Sequence, residues 1–331
     1  MARRPSSPPE KILVLQLRRL GDVLLTTPLL RALHHLYPAA RIDFLTEPSN
    51  HVVLAGNPHL TRVWPYPRSG AVPVVLSLSR ALAAERYDLS VDTLGDPRSA
   101  WIGLLAGAKL RVGFDVRIPR RWSYHHVVHR DPRKYTVDRK LDLVRWLGEV
   151  PRDLRPEYRV PEEARREAKA LLGGRLGGRR VAAVSPVSRK APKRWEPRAF
   201  AAVADELAGR GFAILFLCGP GEEAQVAGVT DAMHRRAEAE GPLAPSIPVL
   251  AALIESAAAL VGNDNGMKHL AVAVGTPTVT VHTVSRARSW NPPDDPRHEA
   301  VETEGRAADA EIRRVIEATG RVLDLGAARP R

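Results

Sequence analysis

The chain of 331 residues is 44% apolar and 26% charged, a globular composition with enough length for two domains. Its single cysteine, Cys218, excludes an internal disulfide and a cysteine-rich zinc site. The formal net charge of +13 predicts an anionic partner: a phosphorylated small molecule, an acidic membrane surface or nucleic acid. Nucleic acid is the weakest of these, because only 5% of the residues are aromatic and no nucleic-acid-binding module is recognisable.

The sequence favours a soluble, cytoplasmic protein. Residues 1–10 are polar and proline-rich, and we expect them to form a disordered tail. The apolar run behind them, 12–17, is too short for the core of a signal peptide. No uncharged run approaches the roughly 20 residues that a membrane-spanning helix needs.

Strand patterns alternate with helical patterns in the first half of the chain, which predicts a parallel, doubly wound α/β sheet. Pro28 lies inside one helical pattern and predicts an early kink or a late helix start. A basic stretch, 117–139, interrupts the alternation and is expected to be largely a surface loop. The predicted strands are 11–17, 41–46, a short one after 57–63, and 87–92, and the predicted helices are 23–37, 74–86 and 137–147.

A second alternating series follows a proline-rich stretch, 151–161, which we interpret as containing an interdomain linker. No sequence repeat relates the two halves. The predicted strands are 179–184, 212–217, 259–261 and 278–281, and the predicted helices are 161–172, 196–210, 223–240, 251–258 and 267–274. The predicted organisation is a tail of 1–10, domains of 11–155 and 156–320, and a tail of 321–331.

Common phosphate-binding and catalytic signatures do not occur. No G-x-G-x-x-G follows a strand, and neither a G-x-x-x-x-G-K-[ST] loop nor a G-x-S-x-G elbow is present. His125, His126 and His129 could in principle hold a metal ion, but no carboxylate stands at a fixed spacing from them. An exposed basic loop is the favoured interpretation, and no metal site is predicted.

Three polar loops remain, each after a predicted strand, where open α/β sheets bind ligands. The first ends in Asp22, which could be a helix N-cap or a base that takes a proton from an attacking hydroxyl. The second, 185–195, carries a cluster of cations that suits a phosphate clamp, with a solvated charge run as the alternative. These cations are Arg189, Lys190, Lys193 and Arg194.

The third loop, 262–266, leads from an apolar strand into a short helix. The free backbone N–H groups at such a helix N-terminus can bind a diphosphate, although an ordinary turn is the alternative. A ligand site is favoured by the polar residues Asn263, Asp264, Asn265, Lys268 and His269. A carboxylate in one domain and a cationic clamp in the other predict a cleft for a nucleophile and a diphosphate leaving group.

Sequence blocks along nearly the whole chain carry a family resemblance. The first is ILVLQLRRLGDVLLTTPLLRAL at 12–33, followed by blocks at 37–46, 87–92, 98–99 and 105–114. The second half adds Lys193-Arg-Trp, Phe200-Ala, Cys218-Gly-Pro-Gly-Glu and GNDNGMKHLA at 262–271. In this order, the blocks resemble the ADP-heptose:lipopolysaccharide heptosyltransferase family, which is glycosyltransferase family 9.

The resemblance implies an α/β GT-B fold, with two Rossmann-like doubly wound parallel-sheet domains that face each other across a cleft. The N-terminal domain would bind the acceptor and the C-terminal domain the nucleotide sugar. The family transfers a heptose from an ADP-activated donor to the lipopolysaccharide inner core, with inversion and with no required metal or other cofactor. Its general base falls on Asp22, its phosphate-binding lysine on Lys193, and its donor signature on Asp264, Gly266 and His269.

The predicted site therefore has three parts beside the base, Asp22. The donor-phosphate part is Lys193, Arg194, Arg189, Asn265, Gly266 and Met267. The donor sugar and nucleotide part is Ser185, Glu222, Asp264, Lys268 and His269. The acceptor part is Arg18, Arg19, Arg98 and Arg120.

The chain departs from the family pattern at three places. The signature usually has Ser or Thr at Asn265 and an apolar residue or methionine at Lys268, and a small Gly-Pro-Thr-type turn usually replaces 282–290. These changes could tighten anion binding, mark a different donor sugar or mark a degenerate site. Two alternatives stay open: a transferase for another nucleotide sugar, and a non-catalytic homologue that binds a sugar nucleotide.

The expected partners are a nucleotide-sugar donor, an anionic glycolipid acceptor and an anionic membrane surface, but not nucleic acid. The basic stretch 117–139 would approach the membrane, which predicts a peripheral protein on the inner face of the inner membrane.

Overall fold

The computed structural model describes residues 7–67, 71–174 and 178–327. The chain divides into two compact units, with the boundary between Glu157 and Tyr158. This boundary lies within the proline-rich stretch 151–161. Of the predicted N-terminal tail, residues 1–6 lie outside the described residues. At Glu10, just before the first strand, the backbone N–H donates to the Asp88 carboxylate at 2.9 Å.

The first unit is built on a six-stranded parallel sheet in the order β3-β2-β1-β4-β5-β6. The strands are β1 Lys11–Leu15, β2 Arg41–Thr46, β3 Arg62–Pro65, β4 Leu89–Asp92, β5 Leu110–Phe114 and β6 His126–Val128. The helices are α1 Leu20–Leu24, α2 Thr27–Leu36, α3 Val72–Ala84, α4 Pro97–Leu105 and α5 Thr136–Arg145.

Helices cover both faces of this sheet. Because side chains alternate along a strand, Leu13 and Leu15 of β1 point to one face, where they pack in a buried cluster with Leu82 of α3 and Ile102 of α4. Helices α2 and α5 contact each other as a separate pair. The right-handed crossover from β1 to β2 places α2 on the opposite face from α4, because the chain winds outward from β1 and from β4 in opposite directions. Its contact with α2 places α5 on that face as well.

The second unit repeats the architecture with the order β12-β11-β10-β7-β8-β9, again all parallel. The strands are β7 Val181–Ser185, β8 Ala213–Leu217, β9 Ala239–Leu243, β10 Ala259–Asn263, β11 Thr278–His282 and β12 His298–Glu302. The helices are α6 Glu162–Leu172, α7 Pro197–Gly209, α8 Glu223–Thr230, α9 Ile247–Ser256, α10 Gly266–Val274, α11 Ala287–Trp290 and α12 Asp309–Ala327.

Several sequence predictions are confirmed and others are wrong. Pro28 marks a late helix start, because the chain breaks after α1 and α2 begins at Thr27. The predicted surface loop 117–139 contains an edge strand, β6, which pairs with β5. The predicted helix 223–240 ends at Thr230, because the following residues form β9 at the open edge beside β8.

The predicted C-terminal tail from residue 321 is also corrected. Helix α12 continues through this position to Ala327 and packs on α7, β10, β11 and β12. Val322 and Leu323 are buried, so these last turns belong to the core of the second unit.

Candidate active site

The sheet order places the polar loops of each unit at one point. In the first unit, the chain winds outward from β1 in one direction and from β4 in the other, so the strand order reverses between these neighbours. In the second unit, the reversal lies between β7 and β10. Such switch points at the carboxyl ends of parallel strands open a crevice for ligands. All three loops singled out in the sequence begin at these two points.

Asp22 lies on the short helix α1, just after β1, and is half-buried. The N-cap of α1 is Arg19, with a left-handed φ of 70°, so the N-cap interpretation of Asp22 is wrong. Within the described residues, the Asp22 carboxylate accepts no hydrogen bond, although it attracts the charges of Arg139 and Lys140. The fold therefore leaves this carboxylate available for a ligand.

Lys140 of α5 supports Asp22 from behind, which the sequence did not indicate. Its buried ammonium donates to the Asp22 backbone oxygen at 2.7 Å, to Thr26 Oγ1 at 2.6 Å and to Gln16 Oε1 at 3.0 Å. Burial lowers the pKa of Lys140 to about 7, although the Asp22 charge opposes this effect. These three bonds tie α1 to the end of β1.

Three of the four predicted acceptor arginines gather beside β4. Arg18 and Arg98 form ion pairs with Asp96 at 3.4 and 3.7 Å, and Arg120 Nη1 donates to the Gly95 backbone oxygen at 2.9 Å. Asp96 is itself held in place as the N-cap of α4. The fourth, Arg19, is exposed on the neighbouring loop after β1.

The centre of the second unit's site is one carboxylate between two lysines. Asp264, just after β10, is buried and forms ion pairs with Lys193 and, at 3.8 Å, with Lys268 of α10. Burial raises the pKa of Asp264, but the positive charges of Lys268 and Lys193 outweigh burial and hold it well below its usual range. Burial lowers the pKa of Lys268 to about 8. With both lysines protonated, the cluster carries a net charge of about +1.

Asn265 is the N-cap of α10. Its Oδ1 accepts from the backbone N–H groups of Met267 and Lys268 at 2.9 and 3.3 Å, and its Nδ2 donates to Ser185 Oγ and Val187 O at 3.0 and 2.9 Å. The cap thus occupies two of the N–H groups that the sequence assigned to the donor phosphate. Gly266, at the first helical position, has no carbonyl partner within the helix for its own N–H.

Two histidines and a tryptophan complete this part of the site. His269 of α10 lies with its ring centroid 6.0 Å from that of Trp290, and Lys193 Nζ is 5.8 Å from the same Trp290 ring. Burial, reinforced by the charge of Lys268, lowers the pKa of both His269 and His282 to about 3, so both rings are neutral at pH 7. His282 and Trp290, in the segment 282–290, were not among the predicted site residues.

Four polar atoms in this region are buried without a hydrogen-bond partner among the described residues. They are Lys268 Nζ, His269 Nδ1, Thr280 Oγ1 and His282 Nε2. Buried polar groups are normally paired, so such a concentration is typical of a binding site rather than of a packed core.

The remaining predicted donor residues lie around the same crevice. Ser185 ends β7 and is buried, with its hydroxyl directed at Met267 Sδ, 3.1 Å away. Arg194 is exposed and donates from Nε to Ser188 O at 2.6 Å, while Arg189 is exposed nearby in sequence. Glu222 follows the adjacent strand β8 and accepts from Gly219 N at 3.0 Å.

The histidines of the basic stretch have other contacts. His126 stacks on Trp146 with ring centroids 4.0 Å apart, and His125 Nδ1 accepts from Arg111 N at 3.2 Å. Among the described residues, no group of three or more His, Cys, Asp or Glu is arranged to hold a metal ion. Within the same part of the chain, no helix is both long and apolar enough to cross a membrane.

Comparison with known families decides the class of protein. The model of glycosyltransferase family 9 (heptosyltransferase) matches residues 75–317, well over half of the chain. The chain belongs to glycosyltransferase family 9. This family 9 enzyme is therefore a glycosyltransferase, as the sequence blocks predicted.

Relatives and solved structures agree with the family. The family 9 chain is 28% identical over 288 residues to lipopolysaccharide heptosyltransferase 3 of Escherichia coli K12, and the match covers 82% of each chain. It superposes on the glycosyl transferase family 9 structure from Veillonella parvula with a TM-score of 0.83 and 22% identity, covering 96% and 98% of the two chains. It superposes on the structure of the E. coli ADP-heptose lps heptosyltransferase II with a TM-score of 0.79 and 24% identity, covering 96% of this chain and 100% of the other. These likenesses confirm the predicted GT-B fold class.

Of the differences from the family 9 signature, the structure explains Asn265 but not Lys268. Asn, Ser and Thr are all preferred N-caps, so Asn265 keeps the capping role that Ser or Thr would fill in the family signature. Lys268 brings a buried charge to a position where the signature usually has an apolar residue. Burial and the charge of Lys268 lower the pKa of His282, which lies in the segment 282–290 that also departs from the family pattern. Two of the departures therefore interact with each other and with Asp264.

Proposed function

We propose that this family 9 glycosyltransferase is an inverting heptosyltransferase. It would move a heptose, or a related sugar, from an ADP-sugar to the core of lipopolysaccharide or a similar glycolipid. The named relatives support this assignment, since one is a lipopolysaccharide heptosyltransferase and another an ADP-heptose lps heptosyltransferase. The observation that carries the proposal is the Lys193–Asp264–Lys268 cluster at the N-terminus of α10.

The second unit would bind the donor. Lys193, which is partly exposed, leaves Asp264 or shares it to bind the diphosphate, and the Gly266 N–H donates to a phosphate oxygen. Arg189 and Arg194 add exposed positive charge, while Asp264 and His269 orient the donor. Fixed positive groups around a departing diphosphate lower the barrier most, because negative charge develops there as the bond breaks.

The first unit would supply the base. Asp22 accepts the proton of an acceptor hydroxyl as that oxygen attacks the anomeric carbon. The bond from this carbon to the diphosphate oxygen breaks in the same step, ADP leaves with the bonding electrons, and the anomeric configuration inverts. Arg18, Arg98 and Arg120 would bind anionic groups of the acceptor.

We further propose that the reaction needs no metal ion or other cofactor, because Lys193 and the α10 N-terminus supply the charge that a metal would otherwise provide. Turnover that survives treatment with excess EDTA would agree with this proposal. Loss of turnover that added Mg²⁺ restores would contradict it.

The proposed glycolipid acceptor also implies that the enzyme works on the cytoplasmic side of the inner membrane.

A donor screen tests the substrate class directly. At equal concentration, a ligand that binds the folded state more tightly raises the melting temperature more, so ADP-, UDP-, GDP- and CMP-sugars can be ranked by thermal shift. We expect the ADP-sugar to give the largest shift and a Lys193→Met variant to lose it. The largest shift with another nucleotide would favour a transferase for that donor.

The base is tested by Asp22→Asn, which keeps the shape and removes the proton acceptor. We expect turnover to fall by roughly 10²- to 10⁴-fold with an unchanged Kd for ADP. Asp231→Asn is the matched control, because this aspartate is exposed in the second unit. Near-normal turnover of Asp22→Asn would remove the base assignment. Donor binding without turnover in the unaltered protein would favour a non-catalytic sugar-nucleotide-binding role.

A further inference from the structure

Large exposed apolar side chains are concentrated on one part of the first unit. Among the described residues, ten such side chains are exposed and seven lie on α3, α4 and the turn at 118–122. The most exposed are Trp122 at 72%, Val72 at 69% and Ile118 at 66%. The others are Val74, Leu76, Trp101 and Leu105. We refer to these seven residues as the apolar face.

The fold makes the three segments that carry these residues neighbours. Helix α4 contacts both α3 and the turn at 120–123, so the three segments are contiguous. Leu82 and Ile102 turn the inner sides of α3 and α4 onto the sheet. Trp101 and Leu105, one helical turn apart on α4, therefore share its outer side. Of the 13 residues of α3, only Ser79 and Leu82 are buried, which is unusual for so apolar a helix.

The segments that form the apolar face contain basic residues and no acidic residue. Neither helix contains an acidic residue, and none occurs from Val116 to Arg130. The same segments carry Arg80, Arg98, Arg117, Arg120, Arg121 and Arg130. The nearest flanking carboxylates are each paired with arginines. The pairs are Glu85 with Arg62, Asp96 with Arg18 and Arg98, Asp115 with Arg121, and Asp131 with Arg133. The surface is thus apolar, tryptophan-bearing and basic.

We propose that the apolar face docks on an anionic lipid bilayer, with Trp122 and Trp101 inserted among the headgroups and Arg117 and Arg121 bound to lipid phosphates. Tryptophan and arginine are the side chains that suit this interface, and anionic lipid attracts clustered basic residues. A second copy docking through the same face would place its arginines against these arginines, and such like-charge contact opposes association. The choice of a membrane over a protein partner rests on the proposed glycolipid acceptor.

Vesicle co-sedimentation at physiological salt tests the proposal. The unaltered protein is expected to bind vesicles of phosphatidylcholine with phosphatidylglycerol at least tenfold more tightly than phosphatidylcholine alone. Trp101→Ser with Trp122→Ser, and separately Arg117→Gln with Arg121→Gln, should each lower binding to the mixed vesicles at least tenfold. The matched controls on α6 are Leu171→Ser and Arg166→Gln, which change exposed residues of the same types and should bind as the unaltered protein does.

A second readout places the residues in the bilayer. Lipids brominated on the acyl chain should quench part of the tryptophan fluorescence, and that part should disappear in the Trp101→Ser/Trp122→Ser variant. Equal binding to both kinds of vesicle, or unchanged binding by the variants, would overturn the proposal. So would a dimer, detected by sedimentation velocity, that the tryptophan variant abolishes.

Failure here is distinguishable from failure of the proposed function. The variants leave the donor and base residues in place, so the thermal shift by the ADP-sugar and transfer to a delipidated acceptor fragment should be unchanged. If both assays are negative for the unaltered protein and for the variants, while vesicle binding follows the prediction, the docking proposal is supported and the proposed reaction is wrong.

Discussion

Replacing Lys268 with methionine should make the protein more stable and weaken its hold on the donor. Lys268 is fully buried at 0% exposure, and its Nζ has no hydrogen-bond partner among the described residues. Its nearest opposite charge is Asp264 Oδ1 at 3.8 Å, beyond hydrogen-bond reach. Methionine is close to lysine in length, is apolar, and is the type of residue that the family signature usually has here.

The pKa gives the size of the stability change. Burial lowers the pKa of Lys268 from 10.5 to about 8. At about 1.4 kcal/mol per pKa unit, holding the ammonium charged in the folded state costs about 3 kcal/mol at pH 7. Lys268→Met removes this cost, because Asp264 keeps its ion pair with Lys193. We therefore expect the free energy of unfolding to rise by about 3 kcal/mol.

The same pKa fixes the pH dependence. The unfolded chain binds the Lys268 proton up to about pH 10.5 and the folded chain only up to about pH 8. Between these values the unfolded state binds more protons, so the stability of the unaltered protein rises with pH. The advantage of Lys268→Met should therefore shrink from about 3 kcal/mol at pH 7 to about 1 kcal/mol at pH 10. Urea unfolding at the two pH values measures both quantities.

Donor binding should change in the opposite direction. Without Lys268, the charges of Lys193 and Asp264 cancel, so the cluster loses the net positive charge that attracts a diphosphate. We expect the Kd for ADP to rise on the order of tenfold at pH 7, measured by calorimetry. Lys169→Met is the control, since it removes an exposed lysine from α6 and should change neither quantity. A less stable Lys268→Met protein, or one with unchanged affinity, would refute the reasoning.

Three further substitutions test how the fold holds the site. Lys140→Met removes the hydrogen bonds that hold α1, so turnover should fall by ~10- to 10²-fold while the Kd for ADP stays constant. A parallel loss of ADP affinity would contradict this role. Asn265→Ala should cost about 1 kcal/mol in urea unfolding by removing the α10 cap, whereas Asn265→Ser should cost much less, and equal costs would contradict the capping role. Gly262→Ala should cost about 1–3 kcal/mol, because its Cβ would lie 2.5 Å from Ser185 O, and unchanged stability would show that β7 and β10 can separate there.

The sequence predicts the fold where local pattern and burial agree. The continuous apolar run of β1 and the alternation of strands and helices predicted a parallel sheet. Pro28 predicted an early kink or a late helix start, and α2 begins at Thr27. The edge strands β6 and β9 were missed because they form only when β5 and β8 offer an open edge. Tertiary pairing there overrides the helical preference of 231–240 and the polar character of 117–139.

The sequence predicted the site residues in the loops at the strand ends, but not the residues that support those loops. Parallel strands bring their carboxyl ends to one edge, so the sequence could place the loops with Asp22, Lys193 and Asp264 at strand ends, while the strand order shows that these ends lie at switch points. Whether Asp22 caps a helix depended on where α1 begins, and the structure begins α1 at Leu20 with Arg19 as its N-cap. Lys140 comes from a helix far along the chain, and no local pattern indicated that it supports α1.

The departures from the family signature differ in what they change physically. Asn265 replaces one good cap with another, so it predicts ordinary chemistry at α10. Lys268 does the opposite, since a cost of about 3 kcal/mol is large against a typical domain stability of 5–15 kcal/mol. A sequence that breaks a folding rule is expected to do so where function requires it. Because the unpaired atoms of Lys268, His269 and His282 share one buried region, that function is best sought in how the donor is held.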